Sequence, residues 1–97
     1  MEGHAVISAD ILARYAGDAA REVPGVNGLV PSQLHRHRGV RVLEDGARVE
    51  LHVAVDWGTH IPSLGRELQR RVREYLHSMA NAEVAAIDIV VDEVRPL

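Results

Sequence analysis

Three residues between positions 56 and 63 have the chemical types of a hydrolytic triad. Asp56, His60 and Ser63 would supply an orienting carboxylate, a general base and a hydroxyl nucleophile. A nucleophilic serine usually lies on a strained turn such as G-x-S-x-G, and no such motif surrounds Ser63. The same stretch suits the end of a strand followed by a helix, where Thr59 or His60 caps the first turn. The sequence therefore predicts no catalytic residue, and we do not expect an enzyme.

A histidine-rich segment offers a second chemistry. His35 and His37 share one face if their segment is a strand. The register of the hairpin described below then places His52 and Asp56 on that face as well. Three imidazoles and a carboxylate could bind zinc, and the alternative is a polar sheet face in contact with solvent. We predict no metal and no cofactor, and the pattern leaves open whether these histidines sense pH.

A basic stripe is the third candidate. Arg66, Arg70 and Arg73 recur at helical spacing and could bind phosphates. Residues 25–28 also match the G-x-x-G spacing of KH domains, although neither middle residue is basic. A small KH-like module that binds RNA or other nucleic acid is therefore one hypothesis. Acidic residues interrupt the stripe and the formal net charge is −3, so a helix face that meets solvent or protein is favoured.

The spacing of apolar residues predicts the elements of the first third of the chain. A short strand is expected at residues 4–7, and Ser8 then caps a helix that ends before Pro24. The segment 29–34 is at most an edge strand because it contains Pro31. The apolar stripe of the helix consists of Ile11, Leu12, Tyr15, Ala16, Ala19, Ala20 and Val23.

The clearest element is a hairpin. The dipeptide Asp45-Gly46 lies between two alternating runs and predicts a two-residue turn. In that register Arg41 faces Glu50 on the outer side of the sheet. The inward row pairs Val40 with Leu51 and Val42 with Val49, and it continues through Val53, Val55 and Trp57.

A second helix and a final strand follow. Pro62 belongs in the first turn of the helix, and Glu67 and Arg71 form a pair one turn apart. The segment 81–83 ends the helix. The apolar stripe of the helix is Leu64, Leu68, Val72, Tyr75, Leu76 and Met79, and the final strand alternates Ile87, Ile89 and Val91 with Asp88, Val90 and Asp92.

The order of elements, β-α-β-β-β-α-β, predicts one domain over residues 1–97. We expect an α+β fold, a two-layer sandwich in which two helices cover one face of a mixed β-sheet. The chain has no cysteine, which excludes disulfides and thiolate metal sites. It also has no apolar run long enough to cross a membrane.

As a whole, the pattern resembles the alkaline shock protein family, also called the envelope stress response proteins. The resemblance rests on an Ile-Ser step into the first helix, a V-P-G-V exit at residues 23–26, and a G-x-x-I-P step at residues 58–62. It spans about Gly3 to Val94. The chain differs in its histidine-rich segment 32–39, where the family is often rich in glycine and lysine.

The resemblance implies a non-enzymatic cytoplasmic protein linked to cell-envelope stress. In some bacteria such a protein is held at the inner face of the membrane by a separate anchored partner, and homo-oligomers are also implied. Our leading hypothesis is an interaction module that docks another copy or an anchored envelope protein, with no insertion into the membrane and no nucleic-acid partner. The candidate contact residues are Arg66, Arg70 and Arg73 on the helix face and His35, His37, Arg41 and His52 on the outer sheet face.

Overall fold

A computed structural model describes residues 7–31 and 38–96 of the chain. The two predicted helices and the four strands of one sheet lie within these residues. In chain order the elements are α1 (Ala9–Arg21), β1 (Val26–Leu29), β2 (Val40–Leu43), β3 (Arg48–Asp56), α2 (Ile61–Ala80) and β4 (Ala86–Arg95).

Strand β3 is the centre of the sheet. Strand β4 pairs with it in parallel along its whole length, with one bulge between the pairs Val53–Val91 and Ala54–Glu93. Strands β1 and β2 both pair with the opposite side of β3 and are antiparallel to it. The sheet is therefore mixed, as predicted, because α2 carries the chain back to start β4 in the same direction as β3.

The hairpin has the predicted register. Arg41 lies opposite Glu50, and the inward pairs of β2 and β3 are those expected from the sequence. Asp45 and Gly46 both have positive φ, 54° and 93°, and the Ala47 amide donates to the Glu44 carbonyl at 3.0 Å. This is the geometry that Asp-Gly turns adopt. The ladder ends one pair before the turn, because Glu44 also has a positive φ.

The edge formed by β1 and β2 is interrupted at His52. The Val30 amide donates to the His52 carbonyl at 2.9 Å, and the His52 amide donates to the Gly39 carbonyl at 2.8 Å. The chain thus leaves β3 after residue 30 and returns opposite the same residue at Gly39. Gly39 has φ 93°, and a Cβ there would lie 2.8 Å from the Val30 carbonyl oxygen, so only glycine fits this crossing.

Both helices begin with side-chain caps close to the predicted positions. Ser8 Oγ accepts from the Ile11 amide at 3.2 Å, and His60 Nδ1 accepts from the Ser63 amide at 3.3 Å. Pro62 lies in the first turn of α2, where its missing amide removes no hydrogen bond. Asn81 ends α2 in the left-handed conformation.

The two helices pack on one face of the sheet, as predicted. The buried residues of this single core include Leu12, Ala16, Ala20, Val49, Leu51, Val53, Val55, Leu64, Leu68, Val72, Leu76 and Ile87. Two members of the predicted stripes are exposed, Ile11 at 37% and Met79 at 49%, because they lie at the margins of the stripes.

Three further predictions need correction or fall outside the described part. Trp57 is not in the inward row: β3 ends at Asp56, and the Trp57 side chain is 73% exposed. The first edge strand comes earlier than predicted, at Val26–Leu29, because its partner is the end of β3. Residues 4–6 of the predicted first strand lie outside the described residues.

Candidate interaction surfaces

The triad residues do not assemble. His60 Nδ1 lies 2.7 Å from Ser63 Oγ, but this contact belongs to the helix cap, where the same nitrogen accepts from the Ser63 amide. Asp56 Oδ1 instead accepts from the Asn27 side-chain amide at 3.0 Å. The acid is therefore committed to β1, and the three residues serve the strand end and the helix start.

The sheet face opposite the helices carries paired charges. His52 is central, with Nε2 2.7 Å from Glu50 Oε1 and Nδ1 2.7 Å from Asp92 Oδ2. Arg41 donates to the same Glu50 oxygen at 3.4 Å. The predicted site residues Arg41 and His52 are thus brought together, and they are linked through a shared carboxylate. On the same face Arg48 pairs with Asp88 at 3.3 Å.

These contacts change the titration of two groups. Burial alone would lower the pKa of His52, but its hydrogen bonds to Glu50 and Asp92 outweigh burial and raise the pKa above the ordinary 6.5. The hydrogen bond with His52 lowers the pKa of Glu50, and Arg41 lowers it further. The network is therefore strongest when His52 is protonated and both acids are ionised.

The described residues do not bring the predicted zinc ligands together. His35 and His37 lie outside them, and Asp56 is bonded to Asn27. Within residues 7–31 and 38–96, no group of three His, Asp or Glu side chains is placed to hold a metal ion. The ends of the histidine-rich segment are nevertheless fixed, because the chain departs from and returns to the backbone of His52.

The basic stripe lies along the exposed side of α2. Arg70 lies between two acids, 2.5 Å from Glu67 Oε1 and 3.0 Å from Glu74 Oε2. The hydrogen bonds from Arg70 and Arg71 lower the pKa of Glu67. Arg66 donates to Ser63 Oγ at 3.5 Å. The centre of the stripe is thus neutralised by its own helix, which leaves little charge for a phosphate backbone.

The G-x-x-G pattern does not form a nucleic-acid clamp. Residues 26–28 lie in β1 and pair with the end of β3. In a KH domain the pattern is a loop whose backbone contacts the nucleic acid. Here the backbone of two of its residues, Val26 and Gly28, is aligned with strand partners in the sheet.

The least satisfied surface is the free edge of β4. Among the described strands only β3 pairs with β4, so no described strand pairs with the other side of this ten-residue strand. Beside that edge runs a groove of about 310 Å³ between β4 and the first half of α2, which we call the edge groove. Its lining includes Ile61, Leu64, Gly65, Gln69, Ile89 and Val91.

Large apolar side chains are exposed at one end of this edge. Trp57 follows the last residue of β3, Ile61 starts α2 and is 43% exposed, and Val94 lies beside Val55 and is 47% exposed. Of these three, Ile61 lines the edge groove, and exposed apolar groups at a groove are typical of protein contact sites. The exposure of Val94 could not be predicted from the sequence, but Gly65 inside the predicted second helix was a usable signal.

Comparison with known proteins agrees with the sequence resemblance. The model of the alkaline shock protein 23 family, which has a cell envelope-related function, matches residues 1–96. The protein YqhY of Bacillus subtilis (strain 168), itself uncharacterized, is 27% identical over 99 residues, which cover 90% of this chain and 73% of YqhY.

Solved structures of the MamM CTD share the fold. A histidine-to-alanine variant superposes with a TM-score of 0.57 at 18% identity, covering 91% of this chain and 99% of that one. A second variant, in a cadmium form, gives 0.55 at 17% identity, covering 89% and 98%. At this identity the likeness concerns the fold alone. Among the described residues, neither helix has the length and apolarity needed to span a bilayer.

Proposed function

Because the chain belongs to the alkaline shock protein family, we propose that it is a non-enzymatic protein-interaction module linked to the envelope stress response. It acts through self-association or by docking to a membrane-anchored envelope protein. We place its work in the cytoplasm, at the inner face of the cell membrane. The observation that carries the proposal is the open edge of β4 with the edge groove beside it.

The distribution of charge supports this reading. The polar side chains that attract attention in the sequence are engaged with one another: Arg70 with Glu67 and Glu74, and His52 with Glu50 and Asp92. The groups that face solvent are instead backbone groups on the free side of β4 and apolar side chains beside it. A docking strand or helix binds to groups of these two kinds.

The residues predicted as contacts divide between two surfaces. Arg66 lines the edge groove, so it is the stronger contact residue of the helix set. Arg73 lies further along α2, and Arg70 is held by acids. Arg41 and His52 form a separate polar surface on the outer sheet face, and His35 and His37 remain predicted members of it.

The test is affinity capture from solubilised membranes of the native host. We expect the tagged chain to retain an integral envelope protein, and a Trp57→Ala, Ile61→Ser variant to lose it. A Leu43→Ala variant is the matched control, because it also removes an aliphatic group outside the core but on the opposite edge of the sheet. A chain that stays monomeric at high concentration and retains no envelope protein contradicts the proposal.

Binding to nucleic acid is the rival function. It predicts an affinity for RNA that falls steeply with salt and falls again in Arg70→Ala and Arg73→Ala variants. The ion pairs of Arg70 and the net charge of −3 weigh against it. A mobility shift at low salt that depends on both arginines would favour the rival over a protein partner.

A further inference from the structure

We propose that the open edge of β4 docks β4 of a second copy of this chain, antiparallel, with the two-fold axis beside Ile89. The inference rests on the proposed function and deepens it by naming one partner, one edge and one register. It follows from the exposure of the edge, the charges along it and the symmetry of a homodimer.

Over most of its length the β4 edge carries few of the devices that normally block strand addition. Exposed edges are usually short, or carry proline, a bulge or an inward-pointing charge. Residues 86–91 contain no proline, no bulge and no inward-pointing charge, and the bulge at Asp92 follows them. The inward side chains of this run, Ile87, Ile89 and Val91, continue the apolar layer under the helices.

One side chain of α2 already bonds to the backbone of β4, and this bond is compatible with docking. The Gln69 side-chain amide donates to the Ile87 carbonyl at 3.0 Å. A carbonyl oxygen has two lone pairs, so this bond leaves a second acceptor position. Gln69 also belongs to the lining of the edge groove, which places its helix beside any added strand.

The described residues that adjoin residues 1–6 and 32–37 lie away from β4. Ile7 and Ser8, where the described chain begins, line a groove with Val42 and Gly46 at the end of β2. Val30 and Gly39, near the two ends of residues 32–37, both hydrogen-bond to the backbone of His52 on the side of β3 opposite β4. Within residues 7–31 and 38–96, no strand pairs with the free side of β4.

Symmetry restricts the register. Directly opposed residues in an antiparallel pair point to the same face, so a two-fold axis normal to the sheet must place a residue opposite itself. Three such registers pair five or more residues of the run 86–92, with Asp88, Ile89 or Val90 on the axis.

Charge selects one of the three. With Asp88 on the axis, two copies of this acid face each other. With Val90 on the axis, Asp88 faces the partner's Asp92. Like charges directly opposed destabilise a sheet. With Ile89 on the axis, Asp88 faces the partner's Val90, Ile87 faces the partner's Val91, and the whole run is paired.

Charged substitutions at Val90 test the register, because each register predicts a different change in the affinity of the dimer. Val90 is half-buried on the outer face, away from the core. In the proposed register Val90→Arg faces the partner's Asp88 twice per dimer and tightens the dimer about 2- to 30-fold, and Val90→Glu weakens it by a similar factor. With Val90 on the axis, Val90→Arg weakens the dimer. With Asp88 on the axis, Val90 faces the partner's Ala86 and neither variant has an effect. Either of these results overturns the register.

Single cysteines give a second, independent reading. The chain has no cysteine, so each introduced thiol can pair only with its symmetry mate. On mild oxidation, Ile89→Cys forms a covalent dimer, whereas Asp88→Cys and Val90→Cys lie diagonal to their mates and do not. Covalent dimer at 88 or 90 instead of 89, or at none of the three, contradicts the proposal.

The closing experiment is light scattering over a concentration series, with envelope-protein capture run on the same samples. We expect concentration-dependent dimers for the wild type and Val90→Arg, and a shift towards monomer for Val90→Glu. A wild type that captures an envelope protein but never dimerises overturns this inference and leaves the proposed function intact. A wild type that does neither overturns both. Capture of an envelope strand by the β4 edge of a monomer also overturns the homodimer.

Discussion

The two edges of the sheet are built in opposite ways. The edge of β1 and β2 consists of two four-residue strands, and Val30 and Gly39 next to them both hydrogen-bond to the backbone of His52. The edge of β4 is a single ten-residue strand that carries one bulge near its end. In the described part of the chain, the first edge offers an incoming strand two short ladders, whereas the second offers a long one beside an apolar groove.

The difference supports the proposal that a partner docks at the β4 edge. A strand would then add to the sheet from one side only. The outer face, with its internally paired charges, adds a polar surface that does not need a partner for its own stability. We expect changes at the first edge to alter folding, and changes at the β4 side to alter association.

The largest effect is expected from Gly39→Ala. The new Cβ would lie 2.8 Å from the Val30 carbonyl oxygen, at a backbone φ of 93°. We expect the free energy of unfolding to fall by about 2–3 kcal/mol, measured by urea denaturation. A loss well under 1 kcal/mol would show that the crossing at His52 is not tightly packed.

A smaller effect, and one that depends on pH, is expected from His52→Gln. The folded-state pKa of His52 is raised, so its contribution is fully present below about pH 6.5 and is lost as pH rises through the folded pKa. The pKa of Glu50 is lowered, so its contribution appears above about pH 4.5 and is lost as pH falls through the folded pKa. The network therefore stabilises the fold most between these values.

The measurement is chemical denaturation of the wild type and His52→Gln in mild acid and in mild alkali. We expect the substitution to cost about 1 kcal/mol near pH 5.5 and clearly less near pH 9. Arg48→Gln serves as a control, because it removes an ion pair with Asp88 on the same sheet face that involves no histidine. An equal cost at both pH values would mean that protonation of His52 contributes nothing.

The smallest effect on folding is expected from Gly65→Ala, on the β4 side. A Cβ at this position of α2 would meet no atom within 4 Å. Removing a glycine from a helix should stabilise the fold by about 0.5–1 kcal/mol, measured by thermal unfolding. Because Gly65 lines the edge groove, a larger residue such as methionine should leave folding intact and weaken association. If Gly65→Met associates as tightly as the wild type, the groove is not part of the contact.

Features set by neighbouring residues could be predicted from the sequence. The Ser8 cap, the position of Pro62 in α2, and the facing of Arg41 and Glu50 follow from short-range rules of capping and turn geometry. The family resemblance is confirmed over almost the whole chain. These local signals agree with one another, which is why the two-layer fold was predictable.

Features set by contacts between residues far apart in the chain could not be predicted from the sequence. Alternation alone continues the inward row to Trp57, but the strand ends at Asp56, whose carboxylate is bonded to Asn27 of β1. The spacing of Arg66, Arg70 and Arg73 predicts a basic stripe. It does not show that Glu67 and Glu74 form ion pairs with Arg70. The sequence of β4 does not show which of its sides is covered. The roles of the seven predicted contact residues stay predictions.

Amide hydrogen exchange as a function of protein concentration tests the central claim most directly. If the open edge of β4 is the docking surface, amides within residues 86–92 should gain protection as concentration rises, while those of β2 do not change. In the Val90→Glu variant this gain should require a higher concentration. Protection that rises in β1 and β2, or nowhere in β4, would contradict the account.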